Sequence, residues 1–292
     1  MVMATVLFAV MGACVKLASA HAGTAWVVGM RGAVGAVVVG LIAWASATSL
    51  ITRVPGLHLK RGLSGVIALS MWFYCMGRLP LATSVTLNYM SSVWMAAFLV
   101  ARAKLGGQGQ VDRRVLLAVA MGFLGVVMVL HPTIDRDQWL AGVVGVVSGM
   151  LSAMAYVQVT ELGKAGEPEA RVVFYFSLTG TLMGLTMGGL GATTVGSAFA
   201  DPTPLPNWPC TTWLCLLGAG SFGTVAQLLM TRAYARGPML VMANLQYLGI
   251  VHASLIGILF FGEHLRWDAV VGMALITASG IWSTRLRQQP PR

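Results

Sequence analysis

Apolar residues run along this chain in long blocks, separated by short polar gaps. A helix that crosses a bilayer needs about 20 mainly apolar residues. Ten runs fit, near 2–20, 24–46, 62–78, 82–102, 114–131, 138–162, 171–195, 211–235, 238–261 and 268–285. Helix breakers mark the gaps: Pro55-Gly56, Pro80, Gly106-Gly107, Pro132, Pro168, the cluster from Pro202 to Pro209, and Gly237-Pro238. The first run has no basic stretch ahead of it, so a cleaved signal peptide is not expected. The pattern predicts an all-α integral membrane protein with ten transmembrane helices.

Composition excludes the soluble alternatives. Charged residues are 10% of the chain, where a soluble domain has about 25%, and hydrophobic types reach 57%. The mean hydropathy is +0.78, and 35 glycines fit membrane helices better than soluble ones. A disordered, fibrous or disulfide-rich secreted chain is excluded on the same grounds. Cys14 and Cys75 lie inside apolar runs, and Cys210 and Cys215 fall on different faces of a helix start, so all four read as packing residues.

A net charge of +10 raises the question of nucleic acid, but the positions of the charges answer it. With the N-terminus inside, fourteen Lys and Arg fall in inside gaps or tails, and only Arg78, Arg136 and Arg266 in outside ones. That is the positive-inside bias. It predicts a multi-pass protein of the inner (plasma) membrane with both termini cytoplasmic, and it accounts for the basic balance with no nucleic acid as partner.

The chain also repeats itself. Arg78, Pro80, Leu87, Tyr89 and Val93 lie over Arg236, Pro238, Leu245, Tyr247 and Val251 at a constant offset of 158, with Asn88 over Gln246. After a three-residue shift, Val115–Val126 lies over Val270–Ile281, with Gly125 on Gly280. The unit is five spans, so the second copy enters the membrane from the opposite side. The expected organisation is a 5+5 inverted repeat around a central cavity, an architecture of many secondary transporters. The repeats would occupy 1–131 and 138–285, followed by a cytoplasmic tail at 286–292.

Four stretches of the second half carry a family resemblance: Tyr234-Ala-Arg-Gly-Pro238, Ala243-Asn-Leu-Gln-Tyr247, Phe261-Gly-Glu263 and Gly272-Met-Ala-Leu-Ile-Thr-Ala-Ser-Gly280. Together they resemble the end of an EamA domain, and two such domains resemble the drug/metabolite transporter superfamily. The first half differs, with Lys104-Leu105-Gly106 in place of the Gly-Glu pair and Met11-Gly12-Ala13-Cys14 in the first helix. The resemblance implies ten helices around a central cavity and export of small metabolites. Within the group, the YddG-type amino-acid exporters are the most similar.

Polar groups in hydrocarbon are costly and face a cavity or a partner. The fourth span carries Asn88, Tyr89, Ser91, Ser92 and Trp94, and the ninth carries Asn244, Gln246, Tyr247 and His252. Aromatics interleaved with amides suit a zwitterion with an apolar side chain, which needs both stacking and hydrogen bonds. The competing role for each is a hydrogen bond between helices. Lys16 and Arg31 are cations at similar depth on adjacent helices, Arg31 roughly 10 Å in from the outer face, and together would attract a carboxylate. Snorkelling to the interface competes for Lys16. Trp72, Tyr74, Tyr156, Gln158 and Gln227 are secondary candidates, and Trp26, Trp139, Trp208 and Trp213 lie near span ends, where aromatics anchor.

All nine acidic residues lie in gaps or at span ends, so carboxylate-based ion coupling is not expected. No P-loop is present, and neither cofactor nor metal is expected. The reading is a non-enzymatic secondary transporter that exports aromatic or hydrophobic amino acids, with broad specificity, by alternating access. Its partners are the small-molecule substrate and the lipid bilayer. A sugar-phosphate or nucleotide-sugar type carrier of the same superfamily is the alternative. An intramembrane serine protease is more distant: Gly62-Leu63-Ser64-Gly65 matches GxSG and His252 would serve as base, but Ser64 sits at the cytoplasmic edge and His252 in the far half.

Overall fold

The structure, a computed structural model, describes residues 1–18, 21–76, 79, 81–106, 112–131, 138–189, 208–261 and 267–288. These form α1 (Val2–Ala18), α2 (Thr24–Ala45), α3 (Pro55–Met76), α4 (Leu81–Tyr89), α5 (Ser91–Gly106), α6 (Arg113–Leu130), α7 (Trp139–Lys164), α8 (Glu169–Gly189), α9 (Cys210–Arg236), α10 (Met239–Gln246), α11 (Leu248–Phe261) and α12 (Trp267–Gln288). No strand occurs among the described residues. Among the described residues each of the ten apolar runs is helical, and the fourth and the ninth are each divided in two. Arg78, Pro80 and the Gly262-Glu263 pair lie outside the described residues.

Local chemistry sets the helix ends. The Asp112 carboxylate accepts a hydrogen bond from the Arg114 backbone N–H at 2.8 Å and starts α6. That helix stops at His131, whose φ of 43° is left-handed, ahead of Pro132, which cannot continue a helix. α7 ends in a Schellman turn. The Glu167 N–H bonds to the Leu162 carbonyl, and the Gly166 N–H to the Gly163 carbonyl, each at 3.1 Å. Gly166 sits at φ +77°, which glycine adopts without a Cβ clash. Pro55 opens α3, as its fixed φ favours at a first helical position. That start carries α3 back over Lys60 and Arg61, which the apolar runs alone leave in a polar gap.

Among the described residues six stretches are long and apolar enough to cross a membrane: Ala25–Ala45, Arg113–Leu130, Trp139–Lys164, Cys210–Arg236, Met239–Phe260 and Trp267–Leu286. The shorter α1 is also apolar. Large apolar side chains such as Leu105 (90% exposed) and Phe260 (77%) stand outward, where water would penalise them and lipid does not. This is an all-helical, multi-pass integral membrane protein. Trp139 is exposed, as an interfacial anchor would be. Trp26, Trp208 and Trp213 instead pack on one another, Trp208 lying 6.0 Å from Trp26 and 5.2 Å from Trp213 between ring centroids.

The chain forms two compact units. The first comprises Met1–Val2, Ile67–Val157 and Arg236–Arg292, the second Met3–Val66 and Gln158–Ala235. Each unit includes residues from both 1–131 and 138–285. In the second unit α2 packs along α8, where Gly29 and Gly184 bring the backbones together. A Cβ on Gly184 would lie 2.9 Å from the Ala25 carbonyl oxygen. In the first unit α6 packs along α12, and a Cβ on Gly125 would lie 2.6 Å from the Gly272 carbonyl oxygen. Without a hydrophobic drive between helices in lipid, this close backbone approach is what holds such pairs.

Candidate transport site

The first unit holds the two divided spans. On the fourth, α4 gives way to α5 at Met90; on the ninth, α10 gives way to α11 at Tyr247. The Tyr247 N–H bonds to the Asn244 carbonyl at 3.2 Å, and the Ile250 N–H to the Tyr247 carbonyl at 3.0 Å. These three-residue spacings tighten the helix to a 3₁₀ turn. Tyr89 and Tyr247, which occupy matched repeat positions, lie side by side with ring centroids 6.1 Å apart and planes at 47°. Tyr247 is 0% exposed and packs with Val126, Ile250 and Ile276, with Tyr89 against that cluster.

The other polar residues that the sequence singles out in this unit take different roles. Gln246 donates from Nε2 to the Tyr156 hydroxyl at 2.8 Å. Trp94 packs near Phe98, and its indole Nε1–H is buried without an acceptor among the described residues. Asn88 on α4, His252 on α11 and Trp72 on α3 are half-buried. Asn244 is 0% exposed and its amide is taken up by α12. It donates to the Ser279 carbonyl (2.9 Å) and the Ser283 hydroxyl (3.1 Å), and accepts from the Ser279 hydroxyl (3.0 Å). The group thus offers phenol, amide and indole donors beside flat apolar faces, the equipment for a small amphipathic solute.

In the second unit Arg31, half-buried on α2, lies over the ring of Phe176 with its guanidinium carbon 5.9 Å from the centroid. Arg61 on α3 lies over the same ring at 4.3 Å and is 3% exposed. Lys16, expected beside Arg31, is exposed on α1. Ser64, one turn beyond Arg61, donates to Gln158 Oε1 at 2.7 Å. Sequence reasoning passed over Arg61 and Phe176. Arg61 follows Lys60 and was counted with the inside charges, although Pro55 signalled the earlier helix start. Phe176 carries no signal without its two neighbours.

A second polar cluster closes one end of this unit. Glu167, 5% exposed at the side chain, accepts from Arg171 Nη1 at 3.0 Å, faces His58 Nε2 at 2.9 Å and accepts from the Thr52 hydroxyl at 3.0 Å. Arg171 also donates to the Ser49 carbonyl from Nε and Nη2. Burial is the largest influence on the Glu167 carboxyl and pushes its pKa up. The hydrogen bonds from His58, Arg171 and Thr52, with the Arg171 charge, outweigh it and hold the group below the ordinary carboxylate range. The cluster fastens the α2–α3 connection to the turn between α7 and α8.

Known proteins place this arrangement in context. Over 287 residues the chain is 28% identical to the pseudopaline exporter CntI of Pseudomonas aeruginosa, covering 98% of this chain and 95% of that one. It is 25% identical over 251 residues to a riboflavin transporter of Vibrio cholerae, covering 84% and 76% respectively. One crystal structure superposes with a TM-score of 0.79 over 98% of this chain and 96% of its own, at 16% identity; that likeness concerns the fold alone. Residues 139–285, the stretch that includes the motifs around Tyr247 and Gly280, match the EamA-like transporter family. With its membrane helices and motif residues in agreement with that match, the chain belongs to the EamA-like transporter family, in the drug/metabolite transporter superfamily.

Proposed function

We propose that this membrane transporter exports small organic metabolites, amino acids among them, across the inner membrane by alternating access between two five-span inverted repeats. One observation carries the reading furthest: the matched fourth and ninth spans both break in mid-course, and the tyrosines at the breaks touch. Residues at equivalent repeat positions meet only near the axis that relates the repeats. In the same unit α6 packs along α12, its mate in the proposed repeat, which supports the same axis. Interrupted helices in transporters sit where backbone lines a substrate path or is enclosed in protein. Ten spans, the repeats at 1–131 and 138–285, and cytoplasmic termini belong to this reading.

The substrate class follows from the side chains near the breaks. Tyr89, Trp94, Gln246 and half-buried His252 and Asn88 suit aromatic or aliphatic amino acids held with loose selectivity. That the similar proteins include one named as an exporter supports the direction. With every acid in a gap or at a span end, the cycle runs without proton or sodium coupling through a mid-membrane carboxylate. The sugar-phosphate or nucleotide-sugar alternative draws on buried Arg61 and half-buried Arg31, and a substrate panel decides it. The test of the site is exchange in liposomes by Tyr89→Ala, Trp94→Ala, His252→Ala and Tyr247→Phe, the last chosen because Tyr247 fills the core. Reduced exchange at unchanged folding is expected. Normal exchange in all four would put the path elsewhere.

A further inference from the structure

α9 buries one face, and two polar side chains on that face bond to nothing among the described residues. Gln227 is 5% exposed and Thr231 2%, while Phe222 and Val225 on the far side of the helix stand outward. At 3.6 residues per turn, Gln227 falls between the lines of Gly220 and Gly223 and stacks on Thr231, at the middle of the buried stripe. The stripe packs into the second unit: a Cβ on Gly220 would lie 2.5 Å from Val34 Cβ, and one on Gly223 2.8 Å from Met11 Sδ. Threonines in helices commonly return their proton to the carbonyl four residues back. Thr224 does so to Gly220 at 2.6 Å, Thr179 to Tyr175 at 2.8 Å and Thr181 to Ser177 at 2.9 Å. Thr231 does not, and its hydroxyl is buried without a partner among the described residues. The Gln227 carboxamide likewise has no hydrogen bond to a described residue. Two such groups, one turn apart inside a membrane span, are costly to leave unmatched.

We propose that Gln227 and Thr231 form a subsite for the neutral polar end of a substrate, a carboxamide or hydroxyl group, so that the transporter prefers a solute ending in such a group to an apolar one of the same length. This rests on the transport reading above and names a chemical class of its substrate. The side chains select that class. A carboxamide offers two donors and an acceptor oxygen, and a hydroxyl one donor and two lone pairs, so the pair both donates and accepts. A hydrocarbon end leaves both residues unmatched. A carboxylate only accepts, and neither residue carries a charge to offset its desolvation. Residues four apart on a helix hold their Cβ atoms about 5–6 Å apart, within reach of the two polar atoms of one terminal amide.

The test is counterflow in liposomes holding the full chain, with L-glutamine set against L-methionine, which matches it in length and lacks the polar end. The unsubstituted protein should exchange L-glutamine about tenfold faster. Gln227→Met and Thr231→Val, each close to the original in shape, should bring L-glutamine exchange down towards the L-methionine rate. Thr231→Ser, which keeps the hydroxyl, should hold the preference. Unfolding in detergent micelles gives a second readout. Exchanging an unmatched polar group for an apolar one of the same shape should leave stability unchanged or raise it, whereas losing a bond between helices lowers it. Should Gln227→Met alone fail to fold, Thr231→Val carries the same comparison. Lower stability in both variants, equal rates for the two solutes in the unsubstituted protein, or variants that slow both solutes alike overturn the proposal. Exchange of L-glutamate faster than L-glutamine also overturns it, in favour of a charged site. Exchange of L-methionine, L-leucine or L-phenylalanine with no gain for L-glutamine defeats the subsite and leaves the transport reading standing. Exchange of none of these solutes defeats both.

Discussion

Replacing Asn244 by Ala removes three hydrogen bonds between α10 and α12 in one step. Hydrogen bonds between membrane helices average roughly 0.6 kcal/mol, so the loss comes to about 2 kcal/mol. The partners do not add to this by being stranded: the Ser279 hydroxyl can turn its one proton to the Ile276 carbonyl, and Ser283 donates to the Gly280 carbonyl, each at 3.1 Å. A Cβ on Gly122 would lie 2.5 Å from Asn244 Oδ1 and 2.7 Å from Ser279 Oγ. Gly122→Ala should therefore strain the same lock, and its effect should shrink once Asn244 is already Ala. Unfolding of the purified chain in mixed detergent micelles, followed by tryptophan fluorescence, measures both singles and the double. Strict additivity, or a change below about 0.5 kcal/mol for Asn244→Ala, would refute the lock. Lost transport at unchanged stability would instead make Asn244 a substrate contact.

Glu167→Gln should lower the melting temperature at neutral pH. The folded carboxyl lies below its ordinary pKa, so its contribution is present above the carboxylate range and fades as pH falls through the folded value. The gap between the two proteins should close in acid; a gap constant with pH contradicts this. Gly166→Ala should cost about 1 kcal/mol, because φ is +77° there, and a neutral result in the same micelle assay contradicts the Schellman turn. Reporter fusions in the gap 46–54 and after α12 should read cytoplasmic, and one between α8 and α9 should read external. An external C-terminus would remove the inverted repeat.

Span position and type were legible because lipid imposes one rule on every residue of a span: long apolar runs, with breakers between. Arg, Pro and Tyr at one offset point to a repeat in the sequence, and the two tyrosines of that pattern stand where α4 and α10 end. The divisions at Met90 and Tyr247 were not legible, since an interruption of one residue leaves no polar or glycine signature in the sequence. Asn244 and Gln246 read alike as polar residues in one stripe. Two positions of separation turn one toward α12 and the other toward Tyr156, a difference set by helix rotation and not by residue type. Arg61 was hidden by its neighbour Lys60, because a pair of adjacent basic residues reads as a polar gap until the helix start at Pro55 is given its weight.

Counterflow tests the central claim most directly. Sealed liposomes containing the full chain are loaded with unlabelled L-phenylalanine, L-leucine or L-glutamate and diluted into a trace of the labelled solute, with no pH or sodium gradient. A carrier that alternates between two faces predicts a transient overshoot of label above its equilibrium level for at least one of these solutes. Approach to equilibrium with no overshoot for any of them, at the rate of protein-free liposomes or faster, would contradict alternating access.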